Sequence, residues 1–573
     1  MPTLQRSPAP AHHLAVPVGV PAGAPAARAS AIGRRPPRIG AITLTALVAL
    51  YLAITQNAAF LKAVQASLPQ PWGWEEWRLL ATVFAVLLSL LFLALLPFAQ
   101  RSTLKPGLIV MLLVSSVCSY FMDSYGVVID RAMLVNVMST DTREAGDLLR
   151  SAFVVHVLLQ GVIPAWLVGR CAVPDRPALS SALRRAALAL AVLVTLSVVF
   201  FVQYDDAVFW GRQHRDVRLY INPTYPLYSA SQYLREAMPR GPQAPLLPVA
   251  PDAIRQSRQV GERPLLVVLV LGETARAANF QLNGYERPTN PRLSQLPELI
   301  NFPRFSACGT ATAESVPCLF SALGRSDFSR AKARAQENLL DVLQRVGVDV
   351  KWRDNDSGCQ GVCARMGMES LERATDPALC TDGECLDGIL LRDLDRLYPP
   401  AGAARLLVLH QKGSHGPAYF KRYPERARRF QPDCRDENVQ RCSHQQVLNS
   451  YDNSLVYTDD VLADLIGSLR AQQQQMDSVV LYVSDHGESL GENGIYLHGL
   501  PYRLAPVEQT HVPMMAWFSS NAAGSLNLDL SCLRKASQTA YSHDNLFPSL
   551  LGLLDVKTRA YDAASDIFAT CRH

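Results

Sequence analysis

Charge is sparse in this chain and forms no patch of one sign. The 573 residues carry a formal net charge of +5, and the lysines and arginines do not cluster with aromatic or helical segments. Nucleic-acid binding normally depends on such a basic patch, so the composition excludes nucleic acid as a partner.

We also expect no cleavable signal peptide. Residues 1–37 are polar and rich in proline, without the apolar core that a signal peptide requires. We expect these residues to form a disordered cytoplasmic tail. We expect the apolar run that follows them to remain as a membrane anchor.

Cysteine is nearly absent from the first 300 residues, where only Cys118 and Cys171 of the 12 cysteines lie. The remaining cysteines do not repeat the CxxC spacing of a zinc ribbon. An even set of closely spaced cysteines in an exported domain predicts disulfides. Proximity in sequence predicts the pairs Cys308–Cys318, Cys359–Cys363, Cys380–Cys385 and Cys434–Cys442, and it leaves open whether Cys532 and Cys571 form a fifth pair.

Long apolar runs dominate the N-terminal third. A spanning helix needs about 20 mainly apolar residues, so we expect some runs to extend beyond their cleanest cores. We assign residues 38–203 to a transmembrane domain of five helices, centred on Ile39 to Ala53, Leu79 to Phe98, Gly107 to Tyr120, Phe153 to Val168 and Ala186 to Val202.

The positive residues around these runs predict the orientation. Five spans place three basic clusters on one side, which should be cytoplasmic: Arg34, Arg35 and Arg38; Arg101 and Lys105; and Arg170, Arg176, Arg184 and Arg185. The region after residue 203 then lies outside, in agreement with its cysteine content.

We expect residues 204–262 to form a linker, with amphipathic helices at the membrane interface between Arg215 and Arg235. Residues 263–573 predict an α/β domain, because apolar runs alternate with helix-like segments. The runs at Leu265 to Leu271, Leu406 to Leu409 and Ser478 to Val483 read as buried parallel strands. Ligands in such folds bind beyond the carboxyl ends of the strands.

Residues that could bind a metal ion follow these strands. Asp485 and His486 come directly after the third run, where both can turn toward one metal ion; the alternative is a helix cap with a surface histidine. Glu273 follows the first run. Taken alone, Glu273 would be interpreted as an exposed residue at the start of a helix. Because a second strand ends in an Asp-His pair, a metal ion shared by these residues is the better interpretation.

A small-residue loop between Cys308 and Cys318 contains Thr312. A nearby dication would activate this hydroxyl as a nucleophile, and a helix starting here would direct backbone N–H groups at a phosphate. The alternative is a helix-capping threonine in a disulfide-closed turn. His415 and His498 lie in glycine-flanked loops, where histidine suits acid–base work or metal binding but is often only solvated.

The combined motifs resemble the lipid A phosphoethanolamine transferases, a group that includes the mobile colistin-resistance enzymes. The matching strings are LGETAR at Glu273, CGTATAESVPC at Thr312, HQKGSHGPAYFKRYP at His415 and SDHGESLGENGIYLHG from Ser484 to Gly499. The loop from Met133 to Met138, followed by Thr140, Asp141, Glu144 and Ala145, resembles the family's periplasmic loop.

The resemblance implies an alkaline-phosphatase-like or sulfatase-like periplasmic domain on five transmembrane helices in the inner membrane of a Gram-negative bacterium. It implies a zinc site at Glu273, Thr312, Asp485 and His486, with manganese as an alternative ion. Thr312 would be the nucleophile. His415 and His498 would contact the phosphoryl group or its leaving oxygen, or hold a second zinc.

The implied reaction moves phosphoethanolamine from phosphatidylethanolamine to a lipid A phosphate through a phospho-threonine intermediate, in a monomeric enzyme that confers polymyxin resistance. Further substrate contacts are expected at Asp356, Gln360 and Asn136. Gln360 departs from the family pattern, in which lysine is common, and this removes one positive charge from a phosphate contact.

Three alternatives remain from the sequence. The acceptor could be a lipopolysaccharide core sugar or a periplasmic glycan. The protein could be a membrane-anchored phosphatase or sulfatase, although Thr312 lies in no sulfatase maturation motif. A non-enzymatic lipid sensor would not need Glu273, Thr312, Asp485 and His486 together.

Overall fold

A computed structural model describes residues 38–68, 71–139, 151–174, 177–202, 210, 214–238, 245–255, 262–371, 374–381, 383–436 and 439–573. The predicted disordered tail at residues 1–37 lies outside these residues. So do Thr140, Asp141, Glu144 and Ala145 of the predicted periplasmic loop.

The first part of the chain is helical. Its α-helices are α1 Ala41–Thr55, α2 Ala58–Ala66, α3 Trp74–Leu95, α4 Leu104–Tyr125, α5 Arg131–Ser139, α6 Ser151–Val157, α7 Ile163–Arg170, α8 Ala178–Val202 and α9 Thr224–Ala237. A π-helical segment, Leu158–Val162, joins α6 to α7. Large apolar side chains on the outer faces are exposed, among them Val110, Leu159, Trp166, Leu190 and Val198.

Four helical segments are long and apolar enough to cross a membrane by length and composition: Trp74–Phe98, Leu104–Tyr125, Ser151–Arg170 and Ala178–Val199. Helices α1 and α2 pass the same test together but are bent by 53° at the break between them. Counting that pair as one span gives the five predicted from the sequence. Each span extends beyond its predicted apolar core at one end or at both ends.

Polar side chains at the depth of the spans face one another. Ser119 of α4 lies 3.0 Å from the His156 ring and donates to Gln56 at 2.6 Å. Gln56 in turn donates to Gln160 across the bundle at 3.1 Å. Because a polar group in hydrocarbon needs an internal partner, these bonds fix how the helices pack.

The region after α8 folds against the bundle. A 3-10 segment, Arg215–Tyr220, precedes α9, and its Val217 is buried among apolar side chains of the spans. Asn57 donates to the Asn222 carbonyl at 2.8 Å and joins this region to the break between α1 and α2.

The second part of the chain is built on a seven-stranded sheet of order β2-β7-β6-β1-β5-β3-β4. Its strands are β1 Leu265–Gly272, β2 Ile300–Asn301, β3 Asp349–Asp354, β4 Glu369–Ser370, β5 Ala404–His410, β6 Asp477–Ser484 and β7 Met514–Phe518. Strands β6, β1, β5, β3 and β4 run parallel, and at one edge β7 pairs antiparallel with both β6 and β2.

Both faces of the sheet are covered. Every residue of β1, β5 and β6 is buried, as their continuous apolar sequences predict. Alternate side chains of β1 enter two separate apolar cores: Val267 lies in one and Val268 in the other. Burial on both faces fixes the register of these strands, and therefore the positions of the residues that follow them.

Helices flank this sheet: α10 Thr312–Leu319, α11 Gly324–Asp327, α12 Arg330–Arg334, α13 Leu339–Arg345, α14 His444–Ala471, α15 Val507–Thr510, α16 Ala522–Ser525, α17 Leu530–Ala536 and α18 Leu546–Leu553. The long α14 begins with a capping box in which Ser443 and Gln446 satisfy each other's backbone N–H groups. Asn338 and Asp341 cap α13 in the same way.

Short strands complete the domain. They pair Ile254–Arg255 with Val556–Lys557, Cys380–Thr381 with Glu384–Cys385, and Ser489–Leu490 with Tyr496–Leu497; a three-stranded sheet joins Phe305–Ser306, His511–Val512 and Tyr541–Ser542.

Five disulfides join the cysteines after residue 300, so the prediction of disulfides is confirmed. The pairs are Cys308–Cys318, Cys359–Cys363, Cys380–Cys385, Cys434–Cys442 and Cys532–Cys571. Cys118 and Cys171 are free.

The bridges should differ in their contribution to stability. Cys532 and Cys571 are 39 residues apart, whereas Cys359 and Cys363 are four apart. Because a longer closed loop restricts the unfolded chain more, we expect replacement of the first pair by serine to lower the unfolding free energy by about 4 kcal/mol, and of the second by about 2 kcal/mol. Denaturant unfolding of the full chain in detergent measures both; equal losses would contradict the loop-length argument.

Candidate metal centre

The carboxyl ends of β1 and β6 lie side by side, and hydrogen bonds join the loops that follow them. Ser484 is paired with Gly272 in the parallel register. The Asp485 N–H donates to the Gly272 carbonyl at 2.9 Å, and the Ala275 N–H donates to the Ser484 hydroxyl at 2.8 Å. These bonds bring Glu273 next to Asp485 although the two residues are far apart in sequence.

Helix α10 supplies the third component. It begins at Thr312, and the Cys308–Cys318 bridge closes the loop and helix around it. The Ser315 hydroxyl donates to the Asp485 carbonyl at 2.6 Å, which ties the helix to the end of β6. The residue before the helix is Ala311, so Thr312 is the first helical residue and not the cap.

Four side chains converge at this point. The Thr312 hydroxyl donates to Glu273 Oε2 at 3.1 Å and lies 3.3 Å from His486 Nε2. His486 Nε2 lies 3.4 Å from Glu273 Oε1 and 3.3 Å from Asp485 Oδ2. The four residues predicted to bind a metal are therefore brought together, and all four are buried.

The orientation of His486 leaves a lone pair directed at this cluster. Its Nδ1 lies 2.9 Å from the Gly487 carbonyl, which can only accept, so Nδ1 carries the proton. Burial lowers the pKa of His486 to about 4, so the ring is neutral at pH 7. A neutral imidazole with Nε2 unprotonated is the form that binds metal ions.

Each of the two carboxylates of the cluster has one oxygen that the protein does not satisfy. Glu273 Oε1 and Asp485 Oδ2 are buried without a hydrogen-bond partner. Burial, and next the charge of Asp485, raises the pKa of Glu273 well above its ordinary value. Buried carboxylates lacking donors are costly unless a cation compensates them. Oxygen and imidazole donors in this arrangement fit a divalent metal ion such as zinc.

The structure contradicts two simpler interpretations of the sequence. Glu273 is fully buried and is not an exposed helix-start residue. Asp485 does not cap a helix, because the loop after β6 continues into the short strand Ser489–Leu490.

His415 and His498 lie next to the cluster. The His498 ring centroid is 4.3 Å from that of His486 and 5.3 Å from that of His415. His498 Nδ1 lies 3.3 Å from Glu488 Oε1. Burial raises the pKa of Glu488 to about 8. The two histidines therefore face one side of the centre instead of being solvated in open loops.

A second buried group adjoins Glu273. His410, the last residue of β5, lies with Nδ1 2.7 Å from Asp354 and Nε2 3.9 Å from Asp356. Burial opposes protonation of His410, but the hydrogen bond and charge of Asp354 outweigh it and raise the pKa to about 9. Ligand atoms of Glu273, Asp356 and His410 lie within 4.8 Å of one another.

Gln360 reaches this group only indirectly. Its side-chain amide donates to the Ser357 hydroxyl at 3.3 Å, and that hydroxyl donates to Asp356 at 2.9 Å. The structure thus places Asp356 in the buried centre and Gln360 at its margin.

The membrane part approaches the centre through α5, which contains Asn136 and packs against α10. Met133 of α5 also contacts the loop that carries His498: a Cβ built on Gly499 would lie 3.0 Å from its terminal methyl. Helix α5 therefore touches both helix α10, which begins at Thr312, and the loop that carries His498.

Gly413 offers a test of how tightly Glu273 is held. It has φ +55°, and a Cβ there would lie 2.9 Å from the Glu273 nitrogen and closer still to its carbonyl oxygen. We expect Gly413→Ala to cost about 3 kcal/mol of stability or more and to displace Glu273. Metal content and thermal unfolding of the purified variant measure the two effects.

Gly347 provides the matched control, because its φ is +83° and nothing lies within 4 Å of a built Cβ. Gly347→Ala should cost only about 1–2 kcal/mol of backbone strain and leave the metal content unchanged. Equal behaviour of the two variants would contradict a close-contact role for Gly413.

Glu488, Asp354 and the buried state of His410 were not predicted as parts of the site. Glu488 lies within the same SDHGE string as the predicted ligands, so its position was a usable signal. Asp354 and His410 end β3 and β5, which are neighbours in the sheet, but their pairing depends on strand order, which the sequence does not reveal.

A mainly parallel sheet with a buried carboxylate–imidazole–threonine centre at its carboxyl edge defines a sulfatase-like hydrolase or transferase fold. Comparisons agree: residues 266–556 match the family model described as Sulfatase, and residues 87–238 match the model described as Phosphoethanolamine transferase EptA/EptB.

Relatives that match over nearly their whole length identify the family within this fold class. The phosphoethanolamine transferase EptA of Escherichia coli K12 is 37% identical over 94% of this chain and 98% of its own length. The phosphatidylethanolamine transferase Mcr-1 of Escherichia coli is 38% identical over 90% of this chain and 95% of its own. The chain belongs to the phosphoethanolamine transferase family.

A solved structure supports the whole architecture. The integral membrane lipooligosaccharide phosphoethanolamine transferase A from Neisseria meningitidis is 36% identical, with a TM-score of 0.88 over 94% of this chain and all of that one. The fold predicted from the sequence, a set of apolar helices followed by a sulfatase-like domain, is therefore confirmed.

Proposed function

We propose that this protein transfers phosphoethanolamine from phosphatidylethanolamine to a phosphate of lipid A, with Thr312 as the nucleophile. The observation that carries the proposal is the approach of the Thr312 hydroxyl to Glu273 Oε2 at 3.1 Å and to His486 Nε2 at 3.3 Å. Helix capping does not explain this position, because Thr312 does not cap helix α10. The placement of its hydroxyl among buried carboxylate and imidazole groups therefore supports a chemical role.

Glu273, Asp485, His486 and Thr312 would hold one zinc ion. When bound, the ion would supply positive charge that lowers the pKa of the Thr312 hydroxyl and stabilises negative charge on phosphoryl oxygens. The unpartnered oxygens of Glu273 and Asp485 are the atoms available for it.

In the first step, the Thr312 oxygen attacks the phosphorus of phosphatidylethanolamine, and the bond to diacylglycerol breaks. Thr312 is held for this attack by the start of α10 and by its hydrogen bond to Glu273. The first N–H groups of α10 favour a phosphate at this point. A phospho-threonine remains.

In the second step, a lipid A phosphate oxygen attacks the same phosphorus and releases Thr312. Two displacements suit two bulky lipids that could not easily share one site. In the first step, His415 or His498 would protonate the departing diacylglycerol oxygen, and in both steps these rings would bind the phosphoryl group. Glu488, 3.3 Å from His498, would orient that ring.

Asp356, Gln360 and Asn136 are proposed as further substrate contacts. Charges of His410, His415 and Lys412 lower the pKa of Asp356 despite its burial, so it is ionised and can pair with the ammonium of the ethanolamine. Asn136 is a candidate because α5 packs on α10.

The proposed organisation places residues 38–203 in the inner membrane of a Gram-negative bacterium, residues 204–262 in a linker and residues 263–573 in the periplasm, where disulfides form. The protein is proposed to act as a monomer. Adding an ammonium group to lipid A reduces its anionic charge, which should weaken binding of polymyxins and so give resistance to polymyxin and colistin.

The test is the lipid product. Lipid A from a Gram-negative host expressing the chain should gain the mass of phosphoethanolamine, and a host carrying a Thr312→Ala variant should not. If phosphoethanolamine appears on core sugars or glycans instead, one of these is the acceptor and lipid A is not. Release of phosphoethanolamine into water alone would indicate a phosphatase.

A further inference from the structure

A cavity of about 800 Å³ lies beside α10, outside the metal centre. Pro317 lines it from helix α10 and Ser321 from the turn just after that helix. Gln360 lines it from the Cys359–Cys363 loop, and Leu246 and Leu247 line it from the linker. This volume lies in the range of small-molecule sites, about 300–1,000 Å³. It can therefore hold a polar head group.

The walls of the cavity are basic. Arg330 and Arg334 lie four residues apart on α12, hence on one helix face. Arg365 lines the cavity as well, but its guanidinium already donates two hydrogen bonds to Asp341. Glu337 is the one acidic residue among the described lining residues, and Arg345 engages both of its oxygens, at 2.7 and 2.6 Å. The net charge therefore favours an anionic ligand.

The position of the cavity relates it to both the membrane part and the metal centre. Arg330 acts electrostatically on Glu314 of α10, as do Asp130 and Arg131 at the start of α5. From the other wall, Gln360 leads through Ser357 to Asp356 by two hydrogen bonds. A ligand there would be close to the bilayer-proximal helix and to the centre without occupying it.

We propose that this cavity binds the phosphate-bearing head group of the acceptor lipid. The proposal rests on the function proposed above and assigns the acceptor a site of its own, lined by Arg330, Arg334 and Arg365. Arginine is the side chain best suited to phosphate, because its planar fork donates two parallel hydrogen bonds. The acceptor's head group would be retained here while one of its phosphates reaches the phospho-threonine.

The decisive variant combines Arg330→Glu with Arg334→Glu, assayed as the purified full chain in detergent with phosphatidylethanolamine and lipid A. We expect the KM for lipid A to rise at least about tenfold, since two charge-assisted contacts become repulsive. The KM for phosphatidylethanolamine, and the release of labelled diacylglycerol without lipid A, should stay within about twofold.

Arg396→Glu is the matched control. Its neighbours Leu397 and Tyr398 contact Arg405 at the amino-terminal part of β5, the sheet edge opposite the centre. It should change neither KM. Arg330→Ala with Arg334→Ala, which adds no new charge, keeps the test valid if the double glutamate variant unfolds, and should raise the lipid A KM in the same direction.

An unchanged KM for lipid A in a folded variant would overturn the proposal, as would an equal loss toward both lipids. Lipid A from which the phosphates have been removed enzymatically should inhibit transfer to lipid A only weakly in the wild-type protein, because it lacks the groups that the cavity binds. Its inhibition of the double variant should be equally weak. If the wild-type protein transfers nothing to lipid A, the proposed function fails, and this outcome is distinct from failure of the acceptor site.

Discussion

Thr312→Ala should lower phosphoethanolamine transfer by roughly a thousandfold or more, because it removes the proposed nucleophile. The protein should still fold and retain most of its metal, since Glu273, Asp485 and His486 remain. Transfer is measured with labelled phosphatidylethanolamine and lipid A, and metal content by elemental mass spectrometry. Thr312→Ser keeps a hydroxyl and should retain part of the activity.

Thr310→Ala is the control for a generic loss of hydroxyl groups from this loop. The Thr310 hydroxyl donates to the Leu500 carbonyl at 2.6 Å and does not contact Glu273. Its loss should cost about 1 kcal/mol of stability and much less activity than the loss of Thr312. Undiminished transfer by Thr312→Ala would remove Thr312 from the chemistry.

Glu273→Gln should weaken metal binding by at least about a hundredfold and abolish turnover with it, since replacing even an outer-shell group often costs that much. The readout that does not depend on activity is thermal unfolding. Added zinc should raise the Tm of the metal-depleted wild-type protein, because it binds only the folded state, and should leave the variant unchanged. Without metal, the variant should be at least as stable as the wild type, because the repulsion between Glu273 and Asp485 is gone.

Asp477→Asn serves as the control for the loss of a buried carboxylate. Asp477 begins β6, the strand that ends at the centre, and is paired with Arg263 at 2.9 Å. Its replacement should reduce stability while the zinc-induced shift in Tm remains. An equal loss of that shift in both variants, or full activity in chelated wild-type protein, would contradict a metal-dependent mechanism.

Much of the fold could be predicted because its central strands are buried on both faces. Continuous apolar runs mark β1, β5 and β6, and the edges of each run place Glu273, His410 and Asp485 at strand ends. The bend between α1 and α2 could not be predicted, since composition gives the length of an apolar run but not its direction.

The candidate site was predicted less completely. Carboxylate and imidazole residues at strand ends indicated Glu273, Asp485 and His486, and the small-residue loop offered Thr312 as a candidate nucleophile. The family resemblance joined all four in one site. Nothing in the local sequence indicated that His410 would pair with Asp354 at 2.7 Å, because this contact requires β3 and β5 to be neighbours. The basic cavity combines residues from the linker, α12 and a disulfide loop, and long-range packing alone brings these together.

The most direct measurement is mass spectrometry of the full-length protein after exposure to phosphatidylethanolamine without lipid A. The account predicts the added mass of one phosphoethanolamine group on the peptide that contains Thr312, and its disappearance when lipid A is supplied. An adduct on another residue, or transfer that proceeds at full rate with Thr312 never modified, would contradict it.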